Sequence, residues 1–153
     1  MNKRVFGRKL SRSRPAREAL FASLAQSLII NGKIVTTRAK AKAVQGSVER
    51  MVTLAKAGSI SARRNVMSKL DNARESTDIL FQKVAKAFPS KNSGFTRIIS
   101  LPRRVGDNAQ IVRMEWTEKI EYEPKKKPEV KKKGKKVEEK PKKEVKKEVK
   151  TKK

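Results

Sequence analysis

Beyond Pro124 the chain loses the means to build a core. The thirty residues from Pro124 to Lys153 hold sixteen Lys, five Glu, isolated valines and no aromatic side chain. Such a segment buries too little apolar surface to offset the entropy of ordering it. Residues 124–153 are therefore expected to be a disordered Lys/Glu/Pro tail, and whatever folds must fold before it. An acid-free arm, residues 1–14, is set apart at the other end, which leaves 15–123 for the domain. That length suits one hydrophobic core.

Hydrophobic period divides the domain. Leu20, Phe21, Leu24, Leu28 and Ile29 follow helical spacing from Pro15 to Ile30, with Pro tolerated in a first turn and Asn31-Gly32 a suitable stop. Lys33-Ile34-Val35-Thr36-Thr37 is short and β-branched and predicts a strand, with Thr36 or Thr37 capping the next helix. That helix, with Val44, Val48, Met51, Val52 and Ala55 on one stripe, should reach Lys56 and end at Gly58. Helical stretches at about 61–70 and 77–88 follow, the second stopped by Pro89. From Phe95 the period becomes alternating: 96–101 and 111–116 suit two strands of a hairpin, with Val112, Met114 and Trp116 on one side and Arg113 and Glu115 on the other. The order helix, strand, three helices, β-hairpin predicts a two-layer α+β domain.

Charge speaks to partners. The formal charge is +26, and subtracting the tail's +11 leaves +15 on residues 1–123, so the folded part is itself strongly basic. A dense polyanion is the natural counter-charge, and counterion release would drive its binding. DNA, RNA and anionic membranes all fit at this point. The tail has no amphipathic apolar face, and no apolar run approaches the ~20 residues of a membrane span, so no membrane partner and a cytoplasmic location are expected. Absence of Cys and His removes disulfides, thiolate zinc sites and the commonest general base. No Gly-rich phosphate loop or triad pattern appears, and no enzyme activity, cofactor, metal or small-molecule substrate is expected.

Three groups of residues are candidates for nucleic-acid contact. The first is the arm, where Lys3, Arg4, Arg8, Lys9, Arg12, Arg14 and Arg17 precede any acid. Extended, its first thirteen residues would span roughly 45 Å, enough to thread between phosphate backbones. The alternative is a solvated terminus that binds nothing. The second is the start of the second helix, where Lys33, Thr36, Thr37, Arg38, Lys40 and Lys42 crowd a helix N-terminus that favours phosphate. There the threonines could equally be plain caps and the cations plain surface. The third is Arg97, Arg103 and Arg104 on the hairpin. Trp116, Phe95 and Tyr122 offer base stacking, but for Trp116, alternating with Val112 and Met114, burial is the better reading.

A specific likeness then accumulates. Gly7-Arg8-Lys9-Leu10-Ser11-Arg12, Arg17-Glu18-Ala19-Leu20, Leu24-Ala25, Ser27-Leu28-Ile29, Gly32-Lys33-Ile34-Val35-Thr36-Thr37, Ala39-Lys40-Ala41-Lys42, Thr53-Leu54-Ala55-Lys56, Gly94-Phe95-Thr96-Arg97-Ile98 and Arg104-Val105-Gly106-Asp107-Asn108-Ala109 occur in the order found in the bacterial large-subunit ribosomal protein L-seventeen family. The sequence resembles that family over residues 1 to about 117. The resemblance implies an α+β domain bound to large-subunit rRNA beside neighbouring ribosomal proteins, near the opening of the peptide exit tunnel, with an architectural role. Asn2, Lys3 and Ala16 stand where the family commonly has Arg or His, and Gln45-Gly46 where it commonly has Arg-Pro. A DNA-compacting protein, suggested by the tail's Lys runs, is the competing reading.

Overall fold

The computed structural model describes residues 7–120; Lys3, Arg4, Tyr122 and the expected tail lie outside the described residues. Helix α1, Arg14–Asn31, carries Pro15 in its first turn, where a missing N–H costs nothing. It stops because Gly32 turns left-handed at φ 75° and donates its N–H to the Leu28 carbonyl at 2.8 Å. Its buried face is made by Ala22, Ala25, Leu28 and Ile29. Leu20, Phe21 and Leu24, expected on that stripe, are half-buried at its margin, because the small alanines take the closest approach.

Strand β1 is Lys33–Thr37, and helix α2, Arg38–Ala57, follows without a break. Ala41, Val44, Val48, Met51, Val52 and Ala55 recur at three- and four-residue steps and are buried, the apolar stripe that anchors a helix to a core. Gly58, at φ 69°, ends it. Ser59 caps α3, Ile60–Lys69, its Oγ accepting from the Ala62 N–H at 3.1 Å. Asp71 and Asn72 then adopt left-handed backbone at φ 52° and 57°, a conformation short polar side chains tolerate.

The fourth helix, α4, starts earlier than the expected 77. It runs as Arg74–Ile79, a π-helical segment Leu80–Val84, and Ala85–Ala87. Thr77 sits inside it because its hydroxyl donates to the Ala73 carbonyl at 2.9 Å and so stays satisfied while buried. Phe88 and Pro89 close the helical half.

Strands β2, Thr96–Ser100, and β3, Ile111–Trp116, pair antiparallel as the expected hairpin, and β1 joins the other side of β3. The sheet order is β1-β3-β2. Directly opposite residues share a face, so Ile34, Met114 and Ile98 point one way, and Val35, Arg113 and Ile99 the other. Helices α1 and α2 pack against the first face, burying Ile34, Val112, Met114 and Trp116. The element order matches the sequence expectation and the architecture is mixed α+β. Phe88 lies edge-on to Phe95, ring centres 5.3 Å apart, and tilted against Trp116 at 6.2 Å, a geometry rings favour over face-to-face stacking.

Candidate nucleic-acid interface

Basic residues distant in sequence meet where α2 begins. The register that pairs Thr37 with Ile111 sets Gln110 beside Arg38, whose backbone N–H donates to the Gln110 carbonyl at 3.0 Å. Arg8, Thr37, Arg38, Ala39, Lys42 and Gln110 line an open groove of about 460 Å³. Arg38 and Gln110 also line an adjoining hollow of about 160 Å³ with Ser100, Leu101 and Arg103. Arg8, Arg38, Lys42 and Arg103 are all exposed, and no acid lines either depression. Four cations from the arm, the helix and the hairpin loop thus surround a helix N-terminus, and its first turn contains no acid to offset them. Such a place attracts phosphate through fixed charges and the helix dipole together.

Thr37, one of the two expected threonines, is the N-cap residue of α2, but its side chain makes no capping bond. The first helical N–H, that of Arg38, is satisfied by the Gln110 carbonyl. Thr36 lies opposite Val112, on the core-facing side of the sheet. Lys40 is half-buried. Gln110 escaped the sequence reading, since nothing about an isolated glutamine marks it; only the strand register places it.

The described part of the arm is not extended. Lys9 to Arg12 forms a tight turn, closed by the Arg12 N–H on the Lys9 carbonyl at 3.1 Å, with Leu10 and Ser11 both at φ 53°. The Arg12 guanidinium adds a bond to the Leu10 carbonyl at 2.9 Å. Lys9 is exposed and Arg17 half-buried. Arg14 pairs with Glu18 one turn on, at 2.9 Å, and its pKa rises through that hydrogen bond.

The three hairpin arginines do not form one patch. Arg103 joins Arg38. Arg97 lies on the outer sheet face, across Glu115 from Lys33, its Nε donating to Glu115 Oε1 at 2.7 Å. Arg104 grips Asp107 with two parallel bonds, Nε to Oδ1 at 3.0 Å and Nη2 to Oδ2 at 2.5 Å. The Arg104 hydrogen bond, aided by the Ala109 N–H, lowers the Asp107 carboxyl to about 2. Arg104 is thereby part of the loop's own closure. Base stacking by Trp116 or Phe95 is excluded, because 4% and 1% of these side chains are exposed. Among the described residues no cluster of acids, Cys or His could hold a metal ion, and no helix is long and apolar enough to cross a membrane.

Comparison with known proteins identifies the family. The family model described as ribosomal protein L17 matches residues 20–117. The chain is 43% identical over 119 residues to large ribosomal subunit protein bL17 of Persephonella marina, covering 77% of this chain and 96% of that one. It is 42% identical over 113 residues to the protein of the same name from Allorhizobium ampelinum, 74% of this chain and 79% of that one. To the Oenococcus oeni protein the identity is 40% over 128 residues, covering 72% and 98%. With the family model matched over residues 20–117 and these relatives at 40% identity or more, the chain belongs to the ribosomal protein L17 family.

Proposed function

We propose that this protein is a structural, non-catalytic constituent of the bacterial large ribosomal subunit, working in the cytoplasm as part of the ribosome. It binds large-subunit rRNA with its basic surface, next to other ribosomal proteins and near the opening of the peptide exit tunnel. The relatives' names supply the particle; the observation that carries the RNA contact is the acid-free meeting of Arg8, Arg38, Lys42 and Arg103 around the start of α2. Phosphate is the ligand such a site selects, since guanidinium groups bond it in pairs and helix N–H groups favour its charge. Lys3, Arg4, Lys9, Arg12 and Arg17 extend the same contact along the arm, and Lys33, Thr37 and Lys40 flank it; Arg14, Thr36, Arg97 and Arg104 hold protein partners or face inward and contribute less. The basic tail 124–153 is an accessory to this domain.

Sedimentation tests the reading. In a lysate gradient the chain should travel with the large subunit at moderate salt and leave it as salt rises, because phosphate contacts are lost through counterion uptake. Recovery only in the free or DNA-bound pool would refute it.

A further inference from the structure

Asn31-Gly32 is the chain's single Asn-Gly pair, and this dipeptide carries a reaction of its own. The backbone nitrogen of the second residue, once deprotonated, attacks the asparagine Cγ. The new N–C bond closes a five-membered imide, and the side-chain nitrogen leaves as ammonia. Water then opens either carbonyl of the ring. Opening at Cγ gives aspartate; opening at the main-chain carbonyl gives isoaspartate, whose backbone runs through the side chain and is one carbon longer. The sum is asparagine plus water giving the acid plus ammonia, with nothing oxidised. Glycine speeds the first step, because no Cβ shields its nitrogen or restricts the rotation that brings it to Cγ.

In the fold that nitrogen is engaged. Asn31 is the last residue of α1 and is exposed, so water and base reach its amide. Gly32 follows at φ 75° and ψ −21°, and its N–H donates to the Leu28 carbonyl at 2.8 Å. Attack requires this bond to break. It also requires the nitrogen to eclipse the Asn31 Cβ in a planar ring, which a helical ψ of about −42° prevents. The geometry points to Asn31 as a modification site gated by folding: the folded chain holds it unreactive, and a chain that remains unfolded converts it. The isoaspartate product then folds poorly. Gly32 alone stands between the end of α1 and the start of β1 at Lys33, so no slack absorbs an added backbone carbon. The strand that follows must enter the sheet with Ile34 opposite Met114 and in the core, and displacement along the strand takes that side chain out of place. The new carboxylate also lies at the negative end of α1, whose last turn holds no cation. Asn31 thus registers time spent unfolded, at the junction of the helical and sheet layers, and does so independently of the ribosomal reading.

Full-length protein held in mildly alkaline buffer, with and without concentrated urea, tests both halves. Mass spectrometry of the peptide spanning Asn31, with isoaspartate counted by enzymatic methylation of its free carboxylate, should show the folded chain converting about tenfold or more slowly, the ratio set by a capping hydrogen bond that must open first. Equal rates, or no conversion in urea, overturn the proposal. Brief proteolysis at the urea midpoint then removes unfolded chains, and among the survivors isoaspartate should be depleted about fivefold or more. Equal shares before and after proteolysis also overturn it. Asn31→Asp carries the charge without the extra carbon and should survive within about threefold of the parent chain. A loss as large as that of isoaspartate would overturn the role given to backbone length. Asn31→Gln, which lacks the geometry to close a five-membered ring, should come through the same urea incubation with its refolding intact; damage equal to the parent's would show that the reactive site lies elsewhere and overturn the assignment to Asn31.

Discussion

The α2 groove makes a quantitative demand on the salt dependence of RNA binding. Changing Arg8, Arg38, Lys42 and Arg103 together to Gln removes the four proposed phosphate contacts without touching a buried residue, since all four side chains are exposed. Each contact contributes about 0.7 to 0.9 to the slope of log affinity against log salt. The quadruple variant should therefore lose about 3 to 3.5 of that slope. Referred to 1 M salt, the same arithmetic makes each contact worth about four- to fivefold at 0.15 M, so affinity should fall about 200- to 1,000-fold. Titration of a large-subunit rRNA fragment at several KCl concentrations measures both numbers. Arg64→Gln with Lys69→Gln, exposed cations on α3 outside the groove, is the control and should cost less than one unit of slope. Equal slopes for the two variants would show that the groove is ordinary basic surface and refute the reasoning.

The same variant separates binding from folding. Arg38 and Lys40 sit in the first turn of α2, where the helix dipole disfavours positive charge and no acid compensates. Arg38→Gln should hence raise stability slightly, by about 0.3 to 1 kcal/mol at low salt, while weakening RNA binding. A loss of stability on that change would mean Arg38 is structural, and the affinity result would need another explanation.

Other outcomes are expected elsewhere in the molecule. Lys56→Met should destabilise the domain by about 1.5 to 3 kcal/mol in urea unfolding, because the ammonium bonds the Pro89 and Lys91 carbonyls and stands over the Phe95 ring at 5.8 Å, tying α2 to the turn before β2. Gly46→Ala should stabilise it by about 0.5 to 1 kcal/mol, since a Cβ there meets open space in a helix interior; a lower urea midpoint would count against that geometry. The Asp107 carboxyl, lowered from 3.8 to about 2 in the folded protein, favours the fold above pH 3.8, and that contribution disappears as pH falls through about 2. Carboxyl NMR should accordingly show Asp107 titrating well below 3.8, and Arg104→Gln should return it toward 3.8. Trp116 fluorescence should be that of a buried indole and should not respond to RNA; quenching on binding would reopen the stacking reading.

Period and punctuation made the fold legible, but they are local signals, and the site is not local. Leu28, Val48, Met51 and Met114 announced their buried faces through spacing alone, and Gly32 and Gly58 announced helix ends because few other residues turn left-handed there. What spacing does not encode is which strands become neighbours. Nothing in Lys33–Thr37 reveals that it pairs with β3, yet that register is what sets Gln110 against Arg38 and Glu115 between Lys33 and Arg97. The sequence therefore showed where positive charge is plentiful and left unstated where it is available. Arg103 and Arg104 are adjacent and chemically identical, but the tight turn through Gly106, φ 107°, brings Asp107 back onto Arg104, while Arg103 lines a hollow with Arg38. An adjacent pair is thus divided between holding the loop and lining the hollow beside Arg38, and the division follows from one carboxylate three residues along. The acids, sparse in this chain, decide which cations are engaged within the fold: Glu18 holds Arg14, Glu115 holds Arg97 and Arg113, and Asp107 holds Arg104, whereas no acid lines the groove at α2.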